Sequence, residues 1–317
     1  MAYTAGDSIL DDEYNAFVGN SSSPFGYNHF AGAGSANYGL NQSSIATVSA
    51  GGTINASNWN SLFTGLDNIA NHTNVSITST SVSAGDAIAI KSALVSDLAS
   101  LAAAVAAGST SATAISSAAA GSSSNSATWN GTSTIERSIT FANSATMRAF
   151  FNGGGFIRID PSCTTGIDGS KDDVFNDLTT TAIGNLDLKA HISTRSGSGE
   201  TLTTNGLANG FHELSTGYTV LLKLTSDNSG YTSNTVEISA KLDAAPATAT
   251  VLTIKMVSTD PADDTLYTAG NTDSVPANPN EAPRMVLALL EAYPTNAQGL
   301  AADIRAASNA EVSNSQS

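Results

Sequence analysis

The 317-residue chain has a single cysteine, Cys163, which excludes an intrachain disulfide and any multi-cysteine metal site. Charged residues make up only 12% of it and aromatics 6%, so its surface must be wetted by the hydroxyls and amides of Ser, Thr and Asn. Cations are scarcest: 12 Lys and Arg stand against 27 Asp and Glu, a formal charge of −15 that opposes direct contact with nucleic acid or an anionic membrane. The acids are scattered in small groups such as Asp11-Asp12-Glu13 and Asp263-Asp264, a pattern of solubility rather than of an acidic tail. Long apolar runs are missing too. The longest, around 101–107, is mostly alanine and too weakly hydrophobic to span a bilayer, so no membrane insertion is expected. MAYTAGDSIL has neither the basic nor the apolar part of a signal peptide.

Patterns that carry chemistry are equally sparse. His29, His72, His191 and His212 are far apart and form no His-x-His or His-Glu-x-x-His spacing. No Gly-x-Ser-x-Gly elbow singles out one serine, and no pair of acids stands apart as a glycosidase couple. IDGSKDDVF at 167–175 and DPADD at 260–264 gather oxygen ligands of the kind calcium needs, but neither alternates acids with glycine as a calcium loop does. These are read as solvated turns or helix caps, with calcium near Asp168–Asp173 left open. No catalytic residue, cofactor or resident metal is assigned, and the chain is read as a non-enzyme.

What is present is a recurring phrase: AGDSI at 5–9, AGGTI at 50–54 and AGDAI at 84–88, each followed by a helical pattern. Tyr14, Phe17 and Val18 align with Trp59, Leu62 and Phe63 at i, i+3 and i+4, one face of a helix, and Asn follows each leading aromatic. Asp12 and Ser57 are the expected N-caps. The third copy lacks the aromatic-Asn pair and carries the stripe Ile90, Leu94, Leu98, Leu101 and Val105 on an alanine-rich, strongly helical segment. That narrow stripe suits either ordinary packing within the subunit or a symmetric interface between protomers.

Residues 106–128, low in complexity, read as a linker or strap. From 129 the period changes to two. Ile135, Ile139 and Phe141 share a face interrupted by Arg137, and Val236, Ile238, Ala240 and Leu242 alternate with Glu237, Ser239 and Lys241. The expected class is α+β: an N-terminal helical assembly region over 1–105, the strap, and an antiparallel, sandwich-like β domain over 129–275 with one or two short helices. A C-terminal extension over 276–317 completes it. Within that extension PRMVLALLEAYP fits either a buried strand or a helix, while GLAADIRAASNAEV reads as a short amphipathic helix.

The stretch RAFFNGGGFIRI at 148–159 tests one functional class directly. A phosphate loop needs strand, glycines and then helix, so that the anion meets the helix N-terminus. Here a helix comes first and a strand after, placing Asn152, Gly153, Gly154 and Gly155 at the negative end of the dipole. Asn152 and Gly153 are expected to take left-handed conformations that stop the helix, with Phe150 and Phe151 packing on Phe156, Ile157 and Ile159.

The segment ITFANSATMRAFFNGGGFIRI resembles one in virion structural proteins of tailed phages that infect cyanobacteria. There, a strand precedes Arg-x-Phe-Phe-Asn-x-Gly-Gly and another follows. INASNWNSLFTGLDNIANH, ITSTSVSAGDAI and the run LTTNGLANGFHELSTGYTVLLKLTSDNSGYTSNTVEISAKLD resemble further parts of that family, so the likeness covers about 40–260. It implies a non-enzymatic tail component (baseplate, adaptor or tail fibre) that assembles as a symmetric homo-oligomer among other virion proteins. Capsid decoration is the nearest alternative. A carbohydrate-binding receptor protein, with Trp59 or Trp129 stacking on sugar, is the alternative from another class. The helix-face residues Tyr14, Phe17, Trp59, Leu62, Leu94, Leu98 and Leu101 are the candidates for packing or assembly.

Overall fold

A computed structural model describes residues 11–20, 25–31, 38–40, 42–79, 81–83, 91–106, 113–125, 129, 131–164, 171–228, 231–261, 284–294, 304–306 and 308–316. The fold is α+β, with helices and a β-rich, sandwich-like part built on two antiparallel sheets. The chain divides into two compact units that are not contiguous in sequence. The helical unit takes Met1–Ala114, Ser144–Gly155 and Tyr293–Arg305, and the β unit takes Ile115–Asn143, Phe156–Ala292 and Ala306–Ser317.

In the helical unit, α1 (Asp11–Val18), α2 (Tyr27–Ala31), α3 (Ala56–Thr73) and α4 (Lys91–Ala106) are joined by α5 (Ser144–Asn152) from much further along the chain. The repeat expected from sequence packs against itself. Tyr14 meets Trp59 edge-on with ring centroids 5.2 Å apart, and Phe17 and Phe63 lie on the same indole at 6.3 and 6.0 Å. Helix α3 is capped by Asn55, not by Ser57: the Asn55 side chain accepts from Asn58 N–H, and Asn58 returns the bond to Asn55 N–H. Ser57 donates to the Asn55 side chain, and Asp12 lies inside the first turn of α1 rather than before it. Each carboxamide oxygen accepts from the other residue's backbone N–H, and that closes the reciprocal capping box. The helix ends at Asn74 in a left-handed conformation, φ 57°.

The β unit holds a six-stranded sheet in the order β11-β2-β9-β8-β7-β6 and a five-stranded sheet in the order β1-β10-β3-β4-β5. The central strands of the larger sheet, β2 (Thr132–Thr140), β9 (Val251–Thr259) and β8 (Thr235–Leu242), keep the period of two expected for them. Ile135, Met256 and Ile238 line up across them and are buried. Arg137 does not break the pattern. It sits on the buried face with Ile135 and Ile139, only 6% exposed, its guanidinium donating to Ser123 Oγ and Asn309 Oδ1. Gly121 makes this possible, because a Cβ there would lie 2.0 Å from the guanidinium.

Two expectations along the chain are corrected, and one that was open between strand and helix is decided. The low-complexity strap contains β1 (Thr113–Ser124), the edge strand of the smaller sheet beside β10 (Arg284–Pro294). Serine and alanine do not forbid a strand; they only fail to announce one by hydrophobic alternation. The helix expected in GLAADIRAASNAEV gives way, over its described C-terminal residues, to β11 (Ser308–Gln316), which pairs with β2 on the edge of the larger sheet. There the ladder of β2 supplies hydrogen bonds that outweigh a weak helical propensity. PRMVLALLEAYP resolves as strand β10, with Met285, Leu287 and Leu289 buried and paired to β3 (Phe156–Thr164), so residues after 276 complete both sheets.

Between β3 and β4 (Leu186–Leu188) the chain forms α6 (Lys171–Asn176) and then seven residues of π-helix, Asp177–Ile183. Its last carbonyls are met from the segment beyond β4. Gly197 N–H and Ser198 N–H donate to Ile183 and Thr181, and the Arg195 guanidinium donates to Ala182. A Cβ on Gly197 would come within 2.4 Å of the Thr181 carbonyl, so only glycine permits this approach.

Candidate functional site

The polar side chains of the helical unit do one job repeatedly. Asn15 of α1 donates to the Val48 carbonyl at 2.7 Å and accepts from Val48 N–H at 2.8 Å. Asn28 of α2 makes the same pair with Ile45, both at 2.8 Å, and Asn60 of α3 with Val82 at 3.0 and 2.9 Å. Each carboxamide thus imitates one rung of a β-ladder, because it offers a donor and an acceptor in one plane.

The residue before each asparagine is a buried aromatic, Tyr14, Tyr27 or Trp59, which fixes the helix face and aims the amide at the chain beside it. Sequence reasoning finds the aromatic-Asn pair in two helices. It misses Tyr27-Asn28, and it misses that both later phrases begin Val-Ser-Ala-Gly, at 48–51 and 82–85, with the clamped valine first. Asp97 of α4 plays the corresponding part for the next arm, accepting from Thr78 N–H at 3.1 Å and Ser79 N–H at 2.8 Å.

These clamps hold two extended arms, 42–48 and the described part of 75–83, on the surface without a strand partner among the described residues. Ser43, Ser44, Ala46 and Thr47 are exposed, and the backbone groups of Ser44, Ala46 and Thr47 make no hydrogen bond among the described residues. Between the first arm and α3 runs a groove of about 700 Å³. Gly51 (φ 74°) then turns the chain into α3 through the Gly52 N–H to Ser49 carbonyl bond. The first and third copies of this turn, 5–9 and 84–88, lie outside the described residues.

The glycine run ends α5 as expected, with a different residue in the strained place. Gly154 has φ 84°, while neither Asn152 nor Gly153 has a positive φ. Gly153 N–H and Gly155 N–H donate to the Ala149 and Phe150 carbonyls, closing the helix. Asn152, buried, donates to the Tyr38 carbonyl at 2.7 Å, and His72 of α3 meets the Gly153 carbonyl at 2.9 Å. Because that partner can only accept, the bonded ring nitrogen carries the proton. Burial lowers the His72 pKa, although the bond to Gly153 favours the charged form. The run is therefore a helix stop that anchors α5 to α3.

The helix-face residues Tyr14, Phe17, Trp59, Leu62, Leu94, Leu98 and Leu101 are all buried within the chain, none more than 5% exposed. The leucine stripe of α4 is thus spent on its own subunit, and the face it leaves outside is Val95, Ser96, Ala99, Ser100 and Ala103. Trp129 is not a sugar platform either, being 3% exposed and packed edge-on against Phe175 at 5.1 Å. No protein-family model matches the chain, and no curated protein or solved structure is similar to it.

One titratable cluster joins two segments of the β unit. His191 Nδ1 pairs with Glu213 Oε1 at 2.8 Å and its ring stacks on His212, while Glu213 Oε2 accepts from Gly210 N–H. With Phe211 and His212 N–H bonded to the Lys189 and Ala190 carbonyls, the group clasps the 189–191 loop to the Phe211–Glu213 turn. Burial pushes the Glu200 carboxyl up to about 7, helped by Asp177 and the charge of Asp227 against the backbone N–H of Asp227. Among the described residues no group of three or more His, Cys, Asp and Glu side chains could hold a metal ion. Asp260 of the DPADD turn is not solvated but buried, 1% exposed. Of the other calcium expectation, residues 167–170 lie outside the described residues. Among the described residues no helix is long and apolar enough to cross a membrane.

Proposed function

We propose that this chain is a non-enzymatic virion structural protein of a tailed phage, a tail-associated adaptor, baseplate or fibre component that works as a symmetric homo-oligomer. The observation that carries the assembly part is the pair of surface arms, clamped in extended form by Asn15, Asn28, Asn60 and Asp97. Extended backbone with unmet N–H and C=O groups is a template for strand addition, and a clamp that preorganises it removes part of the ordering entropy of association. The edge strand β6 (Thr201–Asn205), exposed at every residue, offers a second such template. The placement in a virion rests on the sequence resemblance. Mass measurement in solution tests the assembly: a single closed oligomer is expected, and a strictly monomeric protein at micromolar concentration would refute it. Density for the chain in the tail of an intact particle tests the placement.

A further inference from the structure

The groove beside α3 has a chemical character of its own. One wall is a row of polar side chains at i, i+4, i+7 and i+11 on α3: Ser57, Ser61, Thr64 and Asn68. At 1.5 Å per residue these span about 16 Å, the length of a short linear oligosaccharide. The opposite wall is the clamped arm, with Gln42, Ser43 and Ser44. The floor is Ile45 and the ring of Tyr27, which packs so closely on Gly65 that a Cβ there would lie 2.5 Å from it.

Among the described residues the lining contains hydroxyls and amides, and no acid, base or histidine. Its two walls are rigid, one because it is a capped helix, the other because Asn28 holds Ile45 and the Tyr27 hydroxyl holds the Ser43 carbonyl at 3.0 Å. The side chains of Thr64, Asn68, Ser43 and Ser44 line the groove and make no hydrogen bond among the described residues.

We infer that this groove binds an uncharged polyhydroxylated ligand, a neutral oligosaccharide, along the α3 polar row. A sugar hydroxyl both donates and accepts, which matches a lining of Ser, Thr, Asn and Gln, and the Asn68 carboxamide can bond two neighbouring hydroxyls at once. Anionic ligands are selected against, because no cation among the described residues lines the groove and the whole chain carries −15. A peptide recognised through side chains would need apolar pockets, and among the described lining residues only Ile45 and Tyr27 carry large apolar side chains. With no exposed aromatic platform, single-site binding is weak, and repetition of the groove around an oligomer supplies the avidity.

The site stands whether or not the chain is a virion component, and its test is separate from that of assembly. Saturation-transfer NMR on the full chain is run with neutral gluco-, galacto- and manno-configured trisaccharides and with a uronic-acid trisaccharide as the anionic control. At least one neutral sugar is expected to bind, Asn68→Ala to weaken it about tenfold, and Thr64→Trp, which fills the groove from an exposed position, to abolish it. Ser100→Ala, on the exposed face of α4, is expected to leave binding unchanged. Failure of every neutral trisaccharide to bind overturns the inference. So does preference for the uronic acid, or binding that survives both groove substitutions in folded protein.

Discussion

Replacing Asn60 by alanine removes a donor and an acceptor at once and leaves the N–H and C=O of Val82, itself 8% exposed, without their partner. Each such bond contributes about 1 kcal/mol net, and loss of both from a partly buried site should destabilise the helical unit by about 2 kcal/mol. For a unit of this size that is a fall in Tm on the order of 5–10 °C, read by differential scanning calorimetry as a shift of the helical transition alone. Aspartate at the same position discriminates the clamp from mere packing. At pH 7 its carboxylate still accepts from Val82 N–H but faces the Val82 carbonyl with a second acceptor, so Asn60→Asp should be at least as unstable as Asn60→Ala. Once protonated, below about pH 4, the carboxyl again offers one donor and one acceptor, and the deficit relative to wild type should shrink. Asn15→Ala and Asn28→Ala, which release Val48 and Ile45 of one arm, should combine non-additively, whereas Asn15→Ala and Asn60→Ala act on different arms and should add. An Asn60→Ala variant within about 0.5 kcal/mol of wild type, or an Asn60→Asp variant without acid rescue, would refute the clamp.

Gly155→Ala should destabilise more than Gly153→Ala, since the new Cβ meets the Phe150 carbonyl at 2.6 Å in the first and the Ala149 carbonyl at 3.0 Å in the second. Urea denaturation should place the first at about 1–3 kcal/mol, and equal stability of the two would overturn the account of the turn. His72 is held neutral by burial, so the unfolded chain takes up its proton first on acidification; stability present above the ordinary histidine value of 6.5 is lost as pH falls below it. His72→Gln, which still donates to Gly153 but does not titrate, should flatten the Tm of the helical unit between pH 8 and 5. Glu200 has the opposite sign. Its folded pKa of about 7 lies above the ordinary glutamate value of 4.5, so its contribution is present below 4.5 and lost as pH rises to 7. Discounted for its partial exposure, this is about 1 kcal/mol, and Glu200→Gln should remove that slope from the β unit's stability curve.

The helix faces were legible because burial imposes a period: Tyr14, Phe17, Trp59 and Leu62 repeat at helical spacing whatever their neighbours, and all are buried. Strands β2 and β8 of the larger sheet were legible for the same reason at period two. Arg137 misled only because a cation on an apolar face has no explanation until Ser123, Asn309 and the bare Gly121 are seen around it. Strands β1 and β11 were not legible. Their Ser, Ala and Asn residues carry no alternation, and they are strands because β10 and β2 lie beside them with ladder groups to share.

The sequence by itself determined that no intrachain disulfide can form, the repeated helix face, and the helix stop at Gly153–Gly155. Those properties depend on residues close in the chain, whose torsional freedom and spacing act without distant partners. Only the tertiary structure decided that Asn15, Asn28 and Asn60 are clamps and that the α4 leucines are already spent. It also decided that Trp129 is core and that Ser57, Ser61, Thr64 and Asn68 face a groove. A carboxamide or hydroxyl has no fixed role until a partner stands within about 3 Å of it, and here those partners lie 17 to 33 residues away for the clamps.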